Sequence, residues 1–121
     1  MKLIIAGSRD ITDYGVVENA MQMLIMDSLI EGFMPITEVV SGTARGADRL
    51  GELWATVHNI PIKRMPANWA HHGKRAGYIR NSEMAMYADA LVALWDGKSR
   101  GTGHMIDLAH QYNIPVHIHK V

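Results

Sequence analysis

The chain of 121 residues has no cysteine, which excludes disulfides, zinc–thiolate sites and thiol nucleophiles together. It also has no net charge, because twelve Lys and Arg are matched by twelve Asp and Glu. The strongly positive field of a general polyanion binder is therefore missing. Aromatic side chains are few and phenylalanine occurs once. Long apolar runs are absent: Leu3-Ile4-Ile5-Ala6 is too short for a signal-peptide core or a membrane span. A soluble, cytoplasmic protein with no membrane partner is expected. No internal repeat, low-complexity tract or linker interrupts the chain, so a single domain over residues 1–121 is expected.

What is present is organised. Arg9, Arg45, Arg49, Lys74, Arg75, Arg80, Lys98 and Arg100 fall in or beside expected loops, whereas Glu18, Asp27, Glu31 and Glu38 lie around the first helix. One face is expected to be cationic on a neutral protein. Residues 2–6, a continuous apolar run from Leu3 to Ala6 behind Lys2, read as a strand buried on both faces. After Asp13, a fitting N-cap, Val17, Met21, Leu24, Ile25 and Leu29 recur at helical spacing until Gly32. Met23, Met26 and Ile30 make a second stripe that serves either as extra core or as a subunit contact.

Residues 38–41 make a second strand, and Ala47, Leu50, Gly51, Trp54, Ala55 and His58 line one face of the next helix. Residues 61–65 supply a third strand ended by Pro66-Ala67-Asn68-Trp69. A third helix is expected from about His72 to Ala88, a fourth strand over residues 90–95, a helix carrying Met105, Leu108, Ala109 and Tyr112, and a fifth strand over residues 114–118. Trp54 and Trp95 fit core positions. Regular alternation of strand and helix predicts an α/β, Rossmann-like, doubly wound parallel five-stranded sheet with helices on both faces and strand order 3-2-1-4-5. The switch point then lies between strands one and four, where a ligand belongs.

Four loops form the rim of that crevice: residues 7–13, 42–48, 66–75 and 96–104. The last is the most telling, because Trp95-Asp96-Gly97-Lys98-Ser99-Arg100-Gly101-Thr102-Gly103-His104 joins a strand to a helix start. Glycines admit close approach of the backbone, amides at the helix start are free, and Lys98 and Arg100 add charge, which together suit a phosphate. Gly97-Lys98-Ser99 is not a P-loop, since Val92 stands where that motif needs its first glycine. Gly42 and Gly46 bracket Arg45 before another helix, forming either a second phosphate or ribose site or a plain helix start with Asp48 offsetting the dipole. Arg80 shares a helix face with Gly77, Met84 and Ala88, so it points at the sheet, and a buried arginine needs an anion. Trp69 either stacks on a base or closes the edge of the core. Lys74 and Arg75 suit a solvated helix start.

His71 with His72, and His117 with His119, lack an acid at the spacing of a metal motif, so neither metal nor cofactor is expected. Ser8, Ser41 and Ser99 lack the nucleophile-elbow pattern.

Taken together, Gly7-Ser8-Arg9, Ser41-Gly42-x-Ala44-Arg45-Gly46-Ala47-Asp48, Pro66-Ala67-x-Trp69, Gly77-x-x-Arg80-Asn81-x-x-Met84 and Trp95-Asp96-Gly97-Lys98-Ser99-x-Gly101-Thr102 resemble the SLOG superfamily, the Rossmann-like group named for the Smf/DprA and LOG proteins, and within it the YspA-type members. The resemblance spans nearly the whole chain. It implies a doubly wound fold that binds a nucleotide or nucleotide-derived ligand, hydrolysed in some branches and only sensed in others, and pairing of subunits through helices, hence a homo-oligomer, dimer or tetramer. LOG enzymes split base from nucleoside monophosphate with an arginine, which Arg80 resembles, and with a glutamate whose place here is held by Met105. The lysine that follows the LOG arginine is Asn81.

Methionine cannot take a proton or stabilise an oxocarbenium centre, so hydrolysis needs another carboxylate. Asp10, Asp48 and Asp96 lie on rim loops and are the candidates beside Arg80, with Glu52 in reserve. Asp107 is about 200 degrees around the helix from Met105 and faces elsewhere. The expected function is nucleotide binding as sensor or carrier. Gly7, Ser8 and Arg9 border the ribose, and Arg80, Lys98 and Arg100 with the amides near Gly101 and Thr102 hold phosphate. Gly42, Arg45, Gly46, Asp48, Trp69, Asn81, Asp96, Gly97 and Ser99 complete the site. The alternative is an N-glycoside hydrolase using one of these aspartates. Single-stranded DNA binding is a third reading, disfavoured by the charge balance and the few aromatics.

Overall fold

Side chains on a strand alternate between its two faces, and in this protein the alternation separates two cores. Leu3, Ile5, Val39, Val92 and Leu94 belong to one, and Ile4, Ala6, Val40, Leu91 and Ala93 to the other. They are carried by strands β1 (Lys2–Gly7), β2 (Glu38–Ser41) and β4 (Ala90–Trp95), flanked by β3 (Ile62–Arg64) and β5 (Val116–Lys120). The computed structural model describes residues 1–31 and 35–121, and the side chains of residues 28–31 fall outside that description. The expected stop at Gly32 and the apolar side chains of Leu29 and Ile30 therefore lie outside the described residues.

All four strand pairings are parallel and the order is β3-β2-β1-β4-β5, the doubly wound arrangement that the alternation predicts. Helices α1 (Tyr14–Glu31) and α2 (Ala47–Val57) cover the first core with Val17, Ala20, Met21, Trp54 and Ala55. Helices α4 (Ala76–Tyr87) and α5 (Arg100–Gln111) cover the second with Met84, Ala85, Met105, Ile106, Leu108 and Ala109. Each large aliphatic side chain so buried contributes on the order of 1.5–3 kcal/mol. Asp13 opens α1, its Oδ1 accepting from the Gly15 amide at 2.9 Å and its carbonyl from the Val16 amide at 3.1 Å.

Three expectations need correction. The helix placed at residues 72–88 is divided into a short α3 (Trp69–His72), a 3-10 turn (Gly73–Arg75) and α4. Asn68 caps α3 by accepting from the His71 amide at 3.1 Å, and Gly73, at φ +59°, breaks the helical path. The last strand begins at Val116 rather than at residue 114, because the Ile114 amide donates to the Ala109 carbonyl at 3.0 Å and Asn113 takes a left-handed φ of 58° to close α5. Met23 and Met26 are 50% and 66% exposed, so of the two uses open to their stripe of α1 these residues do not serve as extra core. Among the described residues no helix is long and apolar enough to cross a membrane.

Candidate functional site

Strands β1 and β4 are neighbours, but the chain leaves them toward opposite edges of the sheet, and the loops part to leave a crevice. Gly7 pairs with Leu94, and the Ser8 amide still reaches the Leu94 carbonyl at 3.2 Å, so the two loops start side by side.

On the β4 side, Asp96 folds the turn. Its Oδ1 accepts from the amides of Lys98 and Ser99, both at 2.8 Å, while Gly97 takes φ +83°. The Ser99 carbonyl is tied twice, by the Trp95 indole N–H and by the Gly103 amide, each at 3.0 Å. Gly103 therefore begins the internal bonding of α5, and the preceding amides of Arg100, Gly101 and Thr102 have no acceptor within the helix. Ser99 Oγ and Thr102 Oγ1 lie 3.1 Å apart beside them. Free amides at a helix start favour an anion, and here there is one fewer than the sequence suggests because the Ser99 amide already donates to Asp96. Those two amide bonds hold the Asp96 carboxyl below its ordinary range, which suits a turn-former better than a proton carrier.

On the β1 side, the loop after β2 is docked onto the loop after β1. The Ser8 carbonyl accepts from the amides of Ala47 at 3.2 Å and Ile11 at 3.4 Å. Gly46 makes the docking possible: it takes φ +80°, and a Cβ there would stand 2.5 Å from the Ser8 carbonyl oxygen. Gly42 leaves room for side chains rather than backbone, since a Cβ there would meet Asp48 Oδ2 at 2.8 Å and Arg80 Nη1 at 2.9 Å. Arg80 donates from Nη1 to the Gly42 carbonyl and from Nε to Asn81 Oδ1 at 3.0 Å. It is half-buried, and among the described residues no carboxylate approaches it within 4.0 Å. The anion that a buried arginine needs is thus not a protein carboxylate at contact distance, and burial lowers the guanidinium's pKa, with Asp48 opposing that effect and Arg9 adding to it.

Asp48 is the buried carboxylate of the cleft, 7% exposed. Burial pushes its pKa up to about 6, against the Ala44 amide, which donates to Oδ2 at 3.2 Å, and against the field of Arg80. Glu52, one turn later, raises it further and Arg9 lowers it. Glu52 itself serves the scaffold: it accepts from Ser41 Oγ at 2.7 Å and from Arg64 Nε at 2.8 Å, which removes it from the reserve of reactive carboxylates. Asp10 is exposed and lies 3.7 Å from Arg45 across the mouth.

These parts enclose a cavity of about 450 Å³, whose wall includes Gly7, Ser8, Arg9, Asp10, Arg45, Asp48, Arg80, Asn81, Asp96, Lys98, Ser99, Gly101 and Thr102. Gly42 and Trp69 line an adjoining cavity of about 500 Å³ that shares Arg9, Arg45 and Arg80. Gly46, Gly97 and Arg100 shape or flank the loops without lining either cavity, and Lys74 and Arg75 also stand outside both. The sequence reasoning passed over the apolar floor of Ala6, Met84 and Met105. Helical spacing could have found it, since Met84 and Met105 each fall four residues after a rim residue, Arg80 and Gly101. Among the described residues no group of three or more His, Asp or Glu side chains gathers in a way that could hold a metal.

The model of the YspA, cpYpsA-related SLOG family matches residues 1–72, from β1 through α3. The Gene 61 protein of Mycobacterium phage D29 is 40% identical over 84 residues, which cover 64% of this chain and 67% of that protein. No solved structure matches the chain.

Proposed function

The chain belongs to the YspA, cpYpsA-related SLOG family, and from that premise we propose that it binds a nucleotide or nucleotide-derived ligand in the cleft between β1 and β4, as a sensor or carrier. One observation carries the reading: a single cavity of about 450 Å³ joins the open end of α5 with Lys98 and with Arg80, which has no carboxylate within 4.0 Å among the described residues. Helix-start amides and a guanidinium fork together suit phosphate oxygens in number and direction. Ser8 and Asp48, in the same wall, offer a hydroxyl and a carboxyl to ribose hydroxyls. Calorimetry with nucleoside monophosphates, cyclic dinucleotides and ADP-ribose tests this. Binding is expected in the micromolar to millimolar range and its loss in Arg80→Ala; no heat from any of them at millimolar concentration refutes it.

Asp48 supports a second reading, removal of the base from a nucleotide. Water would add to the anomeric carbon as the bond to the base nitrogen breaks; its oxygen keeps one proton as the new hydroxyl, and the other passes to a base on the protein, which returns it through solvent to the departing nitrogen. Asp96 is bound into its turn and Asp10 is exposed at the mouth, which leaves Asp48 as the enclosed carboxylate. A pKa of about 6 leaves it mostly ionised, yet still basic, at neutral pH. Chromatography after long incubation with nucleoside monophosphates should then show free base from the wild type and none from Asp48→Asn. Absence of free base from the wild type removes this reading.

A further inference from the structure

The cleft does not end at the cavity that faces α5. Beyond Arg9, Arg45 and Arg80 lies the second cavity, of about 500 Å³, walled by Gly42, Thr43, Pro66, Ala67 and Trp69. Each cavity alone lies within the ~300–1,000 Å³ typical of small-molecule sites, so a ligand that fills one leaves the other empty. The chemistry of the two differs. Three arginines line both, but the first adds the start of α5, hydroxyls, Lys98 and three carboxylates, whereas the second has no carboxylate and one large aromatic ring.

Trp69 has the marks of a platform. It is 54% exposed, although a tryptophan with no task outside the core would gain by burial. Its ring pairs with no other aromatic ring among the described residues. It is nevertheless held in place: it opens α3 behind the Asn68 cap, and its Cη2 lies 3.6 Å from where a Cβ of Gly77 would stand. One edge thus rests on α4 where that helix has no side chain. Between this ring and α5 stand three guanidinium groups, of which, among the described residues, only Arg45 has an acid within 4.0 Å, the exposed Asp10. Cations arrayed in a neck between an aromatic platform and an anion-binding helix start match a chain of phosphates attached to a base.

Building on the nucleotide reading above, we infer that the ligand is a nucleoside diphosphate, free or as the nucleotide half of a larger molecule. Its base lies on Trp69, one phosphate lies among Arg9, Arg45 and Arg80, and the next reaches the amides of α5. A nucleoside monophosphate spans only part of this path.

Calorimetric titration of the full chain with AMP, ADP and ADP-ribose, in wild type, Trp69→Ala and Trp69→Phe, tests the inference. ADP should bind at least about tenfold more tightly than AMP, since its second phosphate gains charge-assisted hydrogen bonds. Trp69→Ala should weaken ADP about tenfold, within the range measured for loss of a stacked base, while Trp69→Phe keeps most of the affinity. ADP-ribose tighter than ADP identifies the larger molecule, and equal affinity the free diphosphate. Equal binding of AMP and ADP, or full ADP affinity in Trp69→Ala, overturns this inference and leaves nucleotide binding standing. Equal loss in Trp69→Phe and Trp69→Ala overturns the stacking role. Failure of all three ligands to bind the wild type overturns this inference, and no heat from the other nucleoside monophosphates and cyclic dinucleotides as well overturns nucleotide binding itself.

Discussion

Replacing Asp48 by asparagine should make the protein more stable at neutral pH, by an amount that depends on pH in a defined way. In the folded protein this carboxyl titrates at about 6, against 3.8 for an ordinary aspartate. At 1.36 kcal/mol per pH unit the difference corresponds to roughly 3 kcal/mol. The sign follows from proton binding. Below pH 4 the group is protonated in both states and costs nothing. As pH rises from about 4 to 6 the unfolded chain ionises at this position while the folded protein holds its proton, so stability falls; above 6 the loss is complete. Asparagine keeps an oxygen for the Ala44 amide, which donates at 3.2 Å, and carries no charge. Urea unfolding of wild type and Asp48→Asn at pH 3.5, 5 and 7 measures the effect. The two should be nearly equal at pH 3.5, with the variant ahead by about 3 kcal/mol at pH 7. A difference that stays constant over this range, or a variant less stable at pH 7, refutes the reasoning. If the prediction holds, the protein keeps a destabilising carboxylate where its ligand would sit, a cost that functional groups commonly carry.

Gly46→Ala should destabilise the fold by at least ~2 kcal/mol in urea unfolding, because the residue is left-handed and its Cβ would strike the Ser8 carbonyl. Glu52→Ala should cost about 1–3 kcal/mol by the same assay, since buried Ser41 loses its acceptor and Arg64 its partner. Asp10→Asn should change stability by less than ~0.5 kcal/mol, because its ion pair with Arg45 is solvated on both sides. Arg80→Met should weaken nucleoside monophosphates by about tenfold or more, read by calorimetry, as one charge-assisted bond to phosphate is lost.

The architecture was legible because β1 and β4 are buried on both faces and therefore appear as unbroken apolar runs, 3–6 and 90–95. The rim was legible for a related reason, since tight approaches of backbone demand glycine, and Gly7, Gly42 and Gly46 each have an arginine within three residues along the chain. Spacing could not show how side chains close back on the chain. Asp96 uses the Ser99 amide that a phosphate was expected to meet. Glu52 and Asp48 are one turn apart on α2, yet one braces Ser41 and Arg64 and the other lines the cavity. Nothing in their periodicity separates them. The division of the third helix was equally hidden, since it rests on the Asn68 cap and one left-handed glycine.

The central seam of the sheet has a consequence for the order of assembly. It is closed by contacts such as that between the Lys2 amide and Asp89 Oδ2, 87 positions apart along the chain, so it pays a large loop-closure entropy before its pairing is gained. Strands β1, β2 and β3 with α1 and α2 can come together from the first half of the chain, carrying Arg9, Arg45 and Asp48 with them, while the α5 lip arrives only when β4 zips onto β1. A molecule that bridges the two lips has affinity only for the zipped form, and its concentration then sets how firmly the seam stays shut. In that sense the ligand is a latch on the slowest-forming strand pair.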